Sequence, residues 1–123
     1  MHTVCYIQRK NYVKFDNEHY LLYLNEEKAE VKNEETGEVV QGFAYTGSHP
    51  DGGTLVQATA VTDENRRAKF VAGLIGTEYD IDSQIAILAN GNDTDQHTEE
   101  LKAFEENRRM VKTAIDELLS REI

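Results

Sequence analysis

The stretch TLVQATAVTDENRRAKFVAGLIG, residues 54–76, contains the change of pattern that decides the fold. Its first part, Thr54–Ala60, is predicted to form a short strand. The segment Thr62–Asn65 then offers a helix cap and acidic residues for a first turn. Apolar residues follow at helical spacing: Phe70, Val71, Leu74 and Ile75. We therefore predict strands up to this stretch and helices from it onward.

Before this stretch, the chain consists of short segments that are rich in β-branched and aromatic residues. Such segments favour strands. The clearest turn is Glu35–Glu38, in which Gly37 can adopt the positive φ that closes a hairpin loop. We predict an antiparallel β meander with strands at Val4–Gln8, Tyr12–Asp16, Tyr20–Leu24, Lys28–Lys32 and Val39–Thr46.

Two short helices are predicted to follow the strands. Gly76 is expected to end the first helix as the residue just beyond its C-terminus. Asp80 or Asp82 is expected to cap the second helix, and Gly91 is expected to end it. The larger apolar residues of this second helix lie on one stripe: Ile81, Ile85 and Leu88.

A long third helix is predicted to begin at Thr94, Asp95 or Thr98 and to run to about Arg121. Steps of three and four residues separate the members of a heptad-like seam on this helix. These candidate interface residues are Leu101, Phe104, Arg108, Val111, Ile115 and Leu118. The seam either packs on the protein's own sheet or also pairs with a second chain.

Taken together, these patterns predict an α+β fold, in which an N-terminal antiparallel β meander is followed by three helices, the last one long. The chain has 123 residues, a length that favours a single domain over 1–123. Within it, residues 1–60 are expected to be mainly β and residues 61–123 mainly α.

The charge of the chain excludes several partners. It has 23 acidic and 13 basic side chains, a net charge of −10. This charge repels phosphate backbones and anionic lipids, so we expect neither nucleic acid nor a membrane as a partner. The longest apolar run, Phe70–Ile75, is far too short to span a bilayer. The N-terminus does not resemble a signal peptide, so we expect a cytoplasmic protein, with virion association as a further option.

No residue spacing in this chain dictates a chemistry. The four histidines form no HxH or HxxxH pair, and the single cysteine excludes a Cys-x-x-Cys site. Cys5 is expected to be a buried small apolar residue of its strand. We therefore predict no catalytic residue, no cofactor and no metal site, and we expect that the protein is not an enzyme.

One segment carries a resemblance to known proteins. In Glu78–Leu88, Tyr79 precedes a polar helix cap and an Ile-Ala-Ile-Leu core. Gly42–Tyr45 forms a Gly-aromatic-x-Tyr arm, and Glu99–Lys112 lies in a longer helix after an acidic linker. These features resemble small phage- and prophage-encoded proteins of gut bacteria, some of which are tail-associated. The resemblance implies a role in a phage or mobile element and implies no catalytic residue.

Three functions remain open at this point. The first is a non-enzymatic accessory or structural protein that acts through a protein partner, or through self-association by the last helix. The second is an acidic inhibitor that mimics nucleic acid, because residues 78–106 carry nine acidic groups and only Lys102 as a base, a net charge of −8. The third is a small enzyme of unknown class, which a pocket with convergent polar groups would indicate.

Overall fold

The computed structural model describes every residue from Met1 to Ile123. Six strands precede three helices, of which the last is long, so the predicted α+β fold is confirmed. The strands are β1 (His2–Tyr6), β2 (Tyr12–Lys14), β3 (His19–Leu22), β4 (Glu27–Lys32), β5 (Val39–Gly47) and β6 (Thr54–Gln57). The helices are α1 (Arg66–Gly76), α2 (Ile81–Asn90) and α3 (Asp95–Ser120).

The strands form two three-stranded sheets, with the orders β1-β5-β4 and β2-β3-β6. In the first sheet β5, with nine residues, is the central strand and pairs with a neighbour on each side. It pairs antiparallel with β4 from Val39 to Ala44 and with β1 from Phe43 to Gly47. The antiparallel strands that we predicted as one meander are therefore divided between two sheets.

The predicted hairpin turn between β4 and β5 is confirmed. Gly37 has a φ of +74°, and its amide donates to the carbonyl of Asn33 at 2.7 Å. The Asn33 amide in turn donates to the carbonyl of Glu38 at 2.7 Å. The turn thus sets the register in which β4 and β5 pair.

The chain divides into two compact units. The first unit contains Met1–Leu55 together with Leu118–Ile123, and the second contains Val56–Glu117. The end of α3 therefore belongs to the strand-rich unit and not to the helical one. The organisation of the whole chain as a single domain stays a prediction.

Both ends of α2 and the start of α3 at Asp95 agree with the predictions, whereas α1 differs at both ends. Asn65 precedes α1 without a side-chain capping bond, and the first turn of α1 holds no acidic residue, so the predicted cap and first-turn acids are wrong. Asp80 caps α2, and Gly91 ends it with a φ of +54°. Gly76, by contrast, is the last helical residue of α1, and the residue that follows it, Thr77, keeps a right-handed conformation with a φ of −70°. The prediction that Gly76 lies just beyond the helix is therefore wrong. Thr77 replaces a glycine cap by donating its hydroxyl to the carbonyl of Leu74 at 2.7 Å.

The expectation that Cys5 is buried is also wrong, because its thiol is exposed. The strand β1 lies at the edge of its sheet, and successive side chains point to opposite faces. Val4 and Tyr6 are half-buried on one face, so Cys5 lies on the solvent face.

Each unit has its own buried residues. In the first unit, Leu21, Tyr23 and Tyr45 form a core cluster. In the second unit, α1 buries Phe70 and Ile75. A glycine is required at position 73 of α1, because a Cβ there would lie 2.6 Å from the carbonyl oxygen of Gln57.

None of the three helices has the length and apolar character needed to cross a membrane.

Candidate functional site

The contacts that fix the position of α2 in the second unit lie mainly at its first turn. The Asp80 side chain accepts from the Ser83 amide at 2.7 Å, and this bond lowers the pKa of Asp80 below its usual value. The Gln84 side chain donates to the carbonyl of Tyr79 at 2.9 Å. The Tyr79 ring meets the ring of Phe104 edge-on at 5.0 Å. These contacts attach the start of α2 to α3.

The apolar stripe predicted for this helix exists, but it faces solvent. Ile81, Ile85 and Leu88 are 68%, 59% and 56% exposed, and no residue of α2 is buried. A stripe with this spacing ordinarily faces the core of a globular protein. We call these three residues the α2 stripe. Their clustering on one short helix marks a surface that another molecule can cover.

A groove lies on each side of α2 within the second unit. The groove toward α1 is lined by the glycines at positions 73 and 76 and by Ile81, with Lys69 and Asp80 among its polar residues. The groove toward α3 is lined by apolar and acidic side chains together. It is lined by Glu78, Tyr79, Ala86, Ile87, Glu100 and Ala103.

The charge of α2 itself is negative, and Lys69 on α1 is a basic residue in the groove beside it. The helix carries no basic residue, and Asp82 is its single charged side chain. Glu78, which lines the α3 groove, accepts a hydrogen bond from the side-chain amide of Asn107 at 2.9 Å. This contact holds a carboxylate beside the apolar side chains of the same groove.

The six residues predicted as an interface on α3 do not form an exposed surface. Phe104, Val111, Ile115 and Leu118 are between 0% and 6% exposed, as the prediction of a buried seam required. Leu101 is half-buried. Arg108 is exposed, and its guanidinium lies 5.8 Å from the centre of the Phe104 ring. Most of this seam is thus already buried within one chain. Self-association through it stays a prediction.

The first unit contains a buried polar network that the sequence analysis did not find. Glu26 accepts a hydrogen bond from the Tyr45 hydroxyl at 2.7 Å and forms an ion pair with Arg9 at 2.8 Å. The Arg121 side chain, only 2% exposed, donates to the carbonyls of Tyr23 at 2.6 Å and Lys10 at 2.9 Å. Its Nε lies 3.6 Å from Glu26. Arg121 is thereby bonded to the segments that connect β1 with β2 and β3 with β4.

The pKa values in this network follow from burial and from these partners. Burial raises the pKa of Glu26, but hydrogen bonds from Arg9 and Tyr45 and the charge of Arg121 outweigh burial, so that this pKa is lower than usual. Burial and the bond to Glu26 raise the pKa of Tyr45 to about 12. At neutral pH the network therefore pairs a carboxylate with a neutral phenol and two guanidinium groups.

A second polar cluster surrounds Asp51 in the same unit. Its carboxylate accepts from the Tyr23 hydroxyl at 2.7 Å and from the Gly53 amide at 2.8 Å, and it contacts His49 at 3.0 Å. The backbone carbonyl of Asp51 accepts from the Tyr6 hydroxyl at 2.5 Å. Burial raises the pKa of Asp51, but the donors around it lower this pKa below its usual value. These bonds tie the loop after β5 to β1, to the residue that follows β3, and to itself.

The histidines do not come together. His19 contacts Asp16 at 2.9 Å, His49 contacts Asp51, and His97 contacts Asp93. No group of three or more histidine, cysteine or acidic side chains could hold a metal ion. The exposed Cys5 lines a surface depression in the first unit with Tyr6 and Val31.

The comparisons with known proteins returned no match, either to a family model, to a curated protein or to a solved structure.

Proposed function

We propose that this chain is a non-enzymatic accessory or structural protein of a phage or mobile element that acts by binding another protein through the α2 stripe. The single observation that carries the proposal is the exposure of Ile81, Ile85 and Leu88 on one face of a helix. The resemblance of Glu78–Leu88 to small phage-encoded proteins supplies the biological setting, in the cytoplasm or on a virion.

The energetics of apolar surface support this assignment. Complete burial of an isoleucine or leucine side chain contributes about 1.5–3 kcal/mol relative to exposure. Three such side chains at helical spacing remain mostly in water in the single chain. A partner that covers them gains the share of this free energy that belongs to their exposed surface, without any rearrangement of the core. The apolar groove residues Ala86 and Ile87 extend the surface that a partner would bury.

The nucleic-acid mimic is the second candidate, and the acidic segment 78–106 favours it. A mimic would present carboxylates in place of phosphates, so that its binding would depend on charge and salt. It would have no need of exposed isoleucines. The two candidates therefore differ in whether loss of the α2 stripe abolishes binding.

The test is a comparison of captured proteins from a lysate of phage-induced host cells. Three immobilised baits are used: the natural chain, the variant Ile85→Ser with Leu88→Ser, and the control Met110→Ser. Met110 is 63% exposed on α3, so the control removes an apolar side chain of similar exposure from another helix. Quantitative mass spectrometry then measures which proteins each bait retains.

We expect at least one protein to be retained by the natural chain and by the Met110→Ser control but lost by the stripe variant. Retention of a DNA-binding protein by all three baits, with release by salt, would favour the nucleic-acid mimic. If no retained protein depended on the α2 stripe, the proposed function would be wrong.

A further inference from the structure

The acids near α2 stand at both ends of the helix. Glu78, Asp80 and Asp82 precede or open it, and Asp93 and Asp95 follow it. All five are exposed. The α2 stripe is therefore a short apolar strip between two acidic ends, and the helix offers no basic residue to balance them.

This pattern disfavours a second copy of the chain as the occupant of the stripe. In a two-fold interface, a surface patch meets the same patch of the other subunit. Whether two copies of α2 ran parallel or antiparallel, each acidic end would face an acidic end. Like charges brought together across an interface are costly and act against that partner.

We propose that the segment that covers the α2 stripe is a basic amphipathic helix of another protein; this inference rests on the proposed function. Its apolar side chains would pack on Ile81, Ile85 and Leu88, whose spacing is the one that paired helices use. Its lysine or arginine residues would face the acids at the two ends. Charge complementarity of this kind speeds association and selects the partner.

The groove toward α3 gives such a partner one further contact. Glu78 and Glu100 line this groove together with Ala86, Ile87 and Ala103. Lysine and arginine carry an apolar stem and a charged head, and they place the stem on apolar surface with the head at its edge. The groove therefore fits one long basic side chain of the same partner.

The experiment uses two synthetic helical peptides as probes. One has leucines on one face and lysines at both ends, and the other has glutamate in place of each lysine. Isothermal titration calorimetry measures the affinity of the full chain for each peptide, and amide chemical shifts from NMR locate the contact. The variants are Ile85→Ser and Asp82→Lys, with Met110→Ser and Glu34→Lys as matched controls.

The lysine peptide is expected to bind more tightly than the glutamate peptide, with shifts concentrated in α2. We expect Ile85→Ser to lower the affinity for the lysine peptide by about tenfold. Asp82→Lys should lower the same affinity by about threefold to tenfold at low salt. Glu34 lies on the β4–β5 loop, so Glu34→Lys makes the same change of charge away from α2 and should leave the affinity nearly unchanged.

Three results would overturn the inference. If the two peptides bound with equal affinity and Ile85→Ser lowered that affinity, the α2 stripe would still be a binding surface, but the inference of a basic partner would be wrong. Equal effects of Asp82→Lys and Glu34→Lys, with no effect of Ile85→Ser, would show attraction to the net charge only. Self-association of the chain that grows with salt concentration would place a second copy on the stripe.

Discussion

Two sites in this protein depart in opposite directions from the usual placement of charged side chains in water and large apolar side chains in a core. In the first unit, Arg121 is removed from water and satisfied by two carbonyls and a carboxylate. In the second unit, Ile85 on α2 is 59% exposed and packs in no core. A buried charge with full partners ties a structure together, whereas an exposed apolar stripe contributes little to folding. The comparison separates side chains that hold the first unit together from side chains that the second unit leaves largely in water.

The largest change in the free energy of unfolding is expected where a buried charge loses a partner. Arg121→Ala should lower the free energy of unfolding by about 3–5 kcal/mol, because it leaves the Tyr23 carbonyl without the Arg121 donor and removes one of the two guanidinium groups that pair with Glu26. Arg67→Ala is the control, since its ion pair with Asp116 is exposed and such pairs contribute about 0–1 kcal/mol. Urea unfolding of the two variants measures the difference. Similar losses for both would show that the Arg121 network does not hold the first unit together.

Two isoleucines provide the next comparison. Ile115 is 0% exposed and Ile85 is 59% exposed. Ile115→Ala should cost about 2–5 kcal/mol of stability because it leaves a cavity. Ile85→Ala should change stability by no more than about 0.5 kcal/mol. Thermal and urea unfolding measure the stability of both variants. A large loss of stability for Ile85→Ala would mean that α2 is part of the core.

The carboxylates of the first unit should make stability depend on pH. The pKa values of Glu26 and Asp51 are lower in the folded chain than their usual values. Their contribution is thus fully present above the usual carboxylate pKa of about 4 and is lost as the pH falls through the lower folded values. Urea unfolding at a series of acidic pH values measures this loss.

The variant Glu26→Gln provides the control for that pH dependence. It should be less stable than the natural chain at pH 7 and should lose less additional stability on acidification. An acid dependence as steep as that of the natural chain would remove Glu26 as a source of the effect.

The smallest effect comes from two glycines that differ in backbone conformation. A Cβ at either Gly37 or Gly76 would meet no atom within 4 Å, but only Gly37 has a positive φ, of +74°. Gly37→Ala should therefore destabilise the hairpin by about 1 kcal/mol. Gly76→Ala should instead stabilise α1 by up to about 1 kcal/mol. If both substitutions changed the stability in the same direction, the positive φ of Gly37 in the turn would be contradicted.

Local patterns predicted most of the fold, because hydrophobic period, caps and turns act over a few residues. The Gly37 turn, the Asp80 cap and the Gly91 end of α2 follow from such short-range chemistry. Gly76 was mispredicted because a threonine after it supplied an alternative helix end. The division of the strands between two sheets depends on long-range pairing of β1 with β5, which no local pattern specifies.

The functional features were less accessible to prediction. The stripe Ile81, Ile85 and Leu88 is visible in the sequence, but its exposure is set by how α2 lies on its unit, which the spacing does not contain. The bond between Arg121 and Tyr23 joins residues 98 positions apart, and Arg121 has no neighbour that marks it as buried. For α3, the period correctly indicated a buried seam because its apolar residues recur over several turns.

The most direct test of the central claim measures folding and binding on the same variant. Ile85→Ser combined with Leu88→Ser removes most of the α2 stripe. We expect its free energy of unfolding to stay within about 1 kcal/mol of the natural chain, because both side chains are mostly exposed. We expect the proteins that the natural chain captures through the stripe to be lost. A large loss of stability, or an unchanged set of captured proteins, would contradict the assignment of α2 as a binding surface.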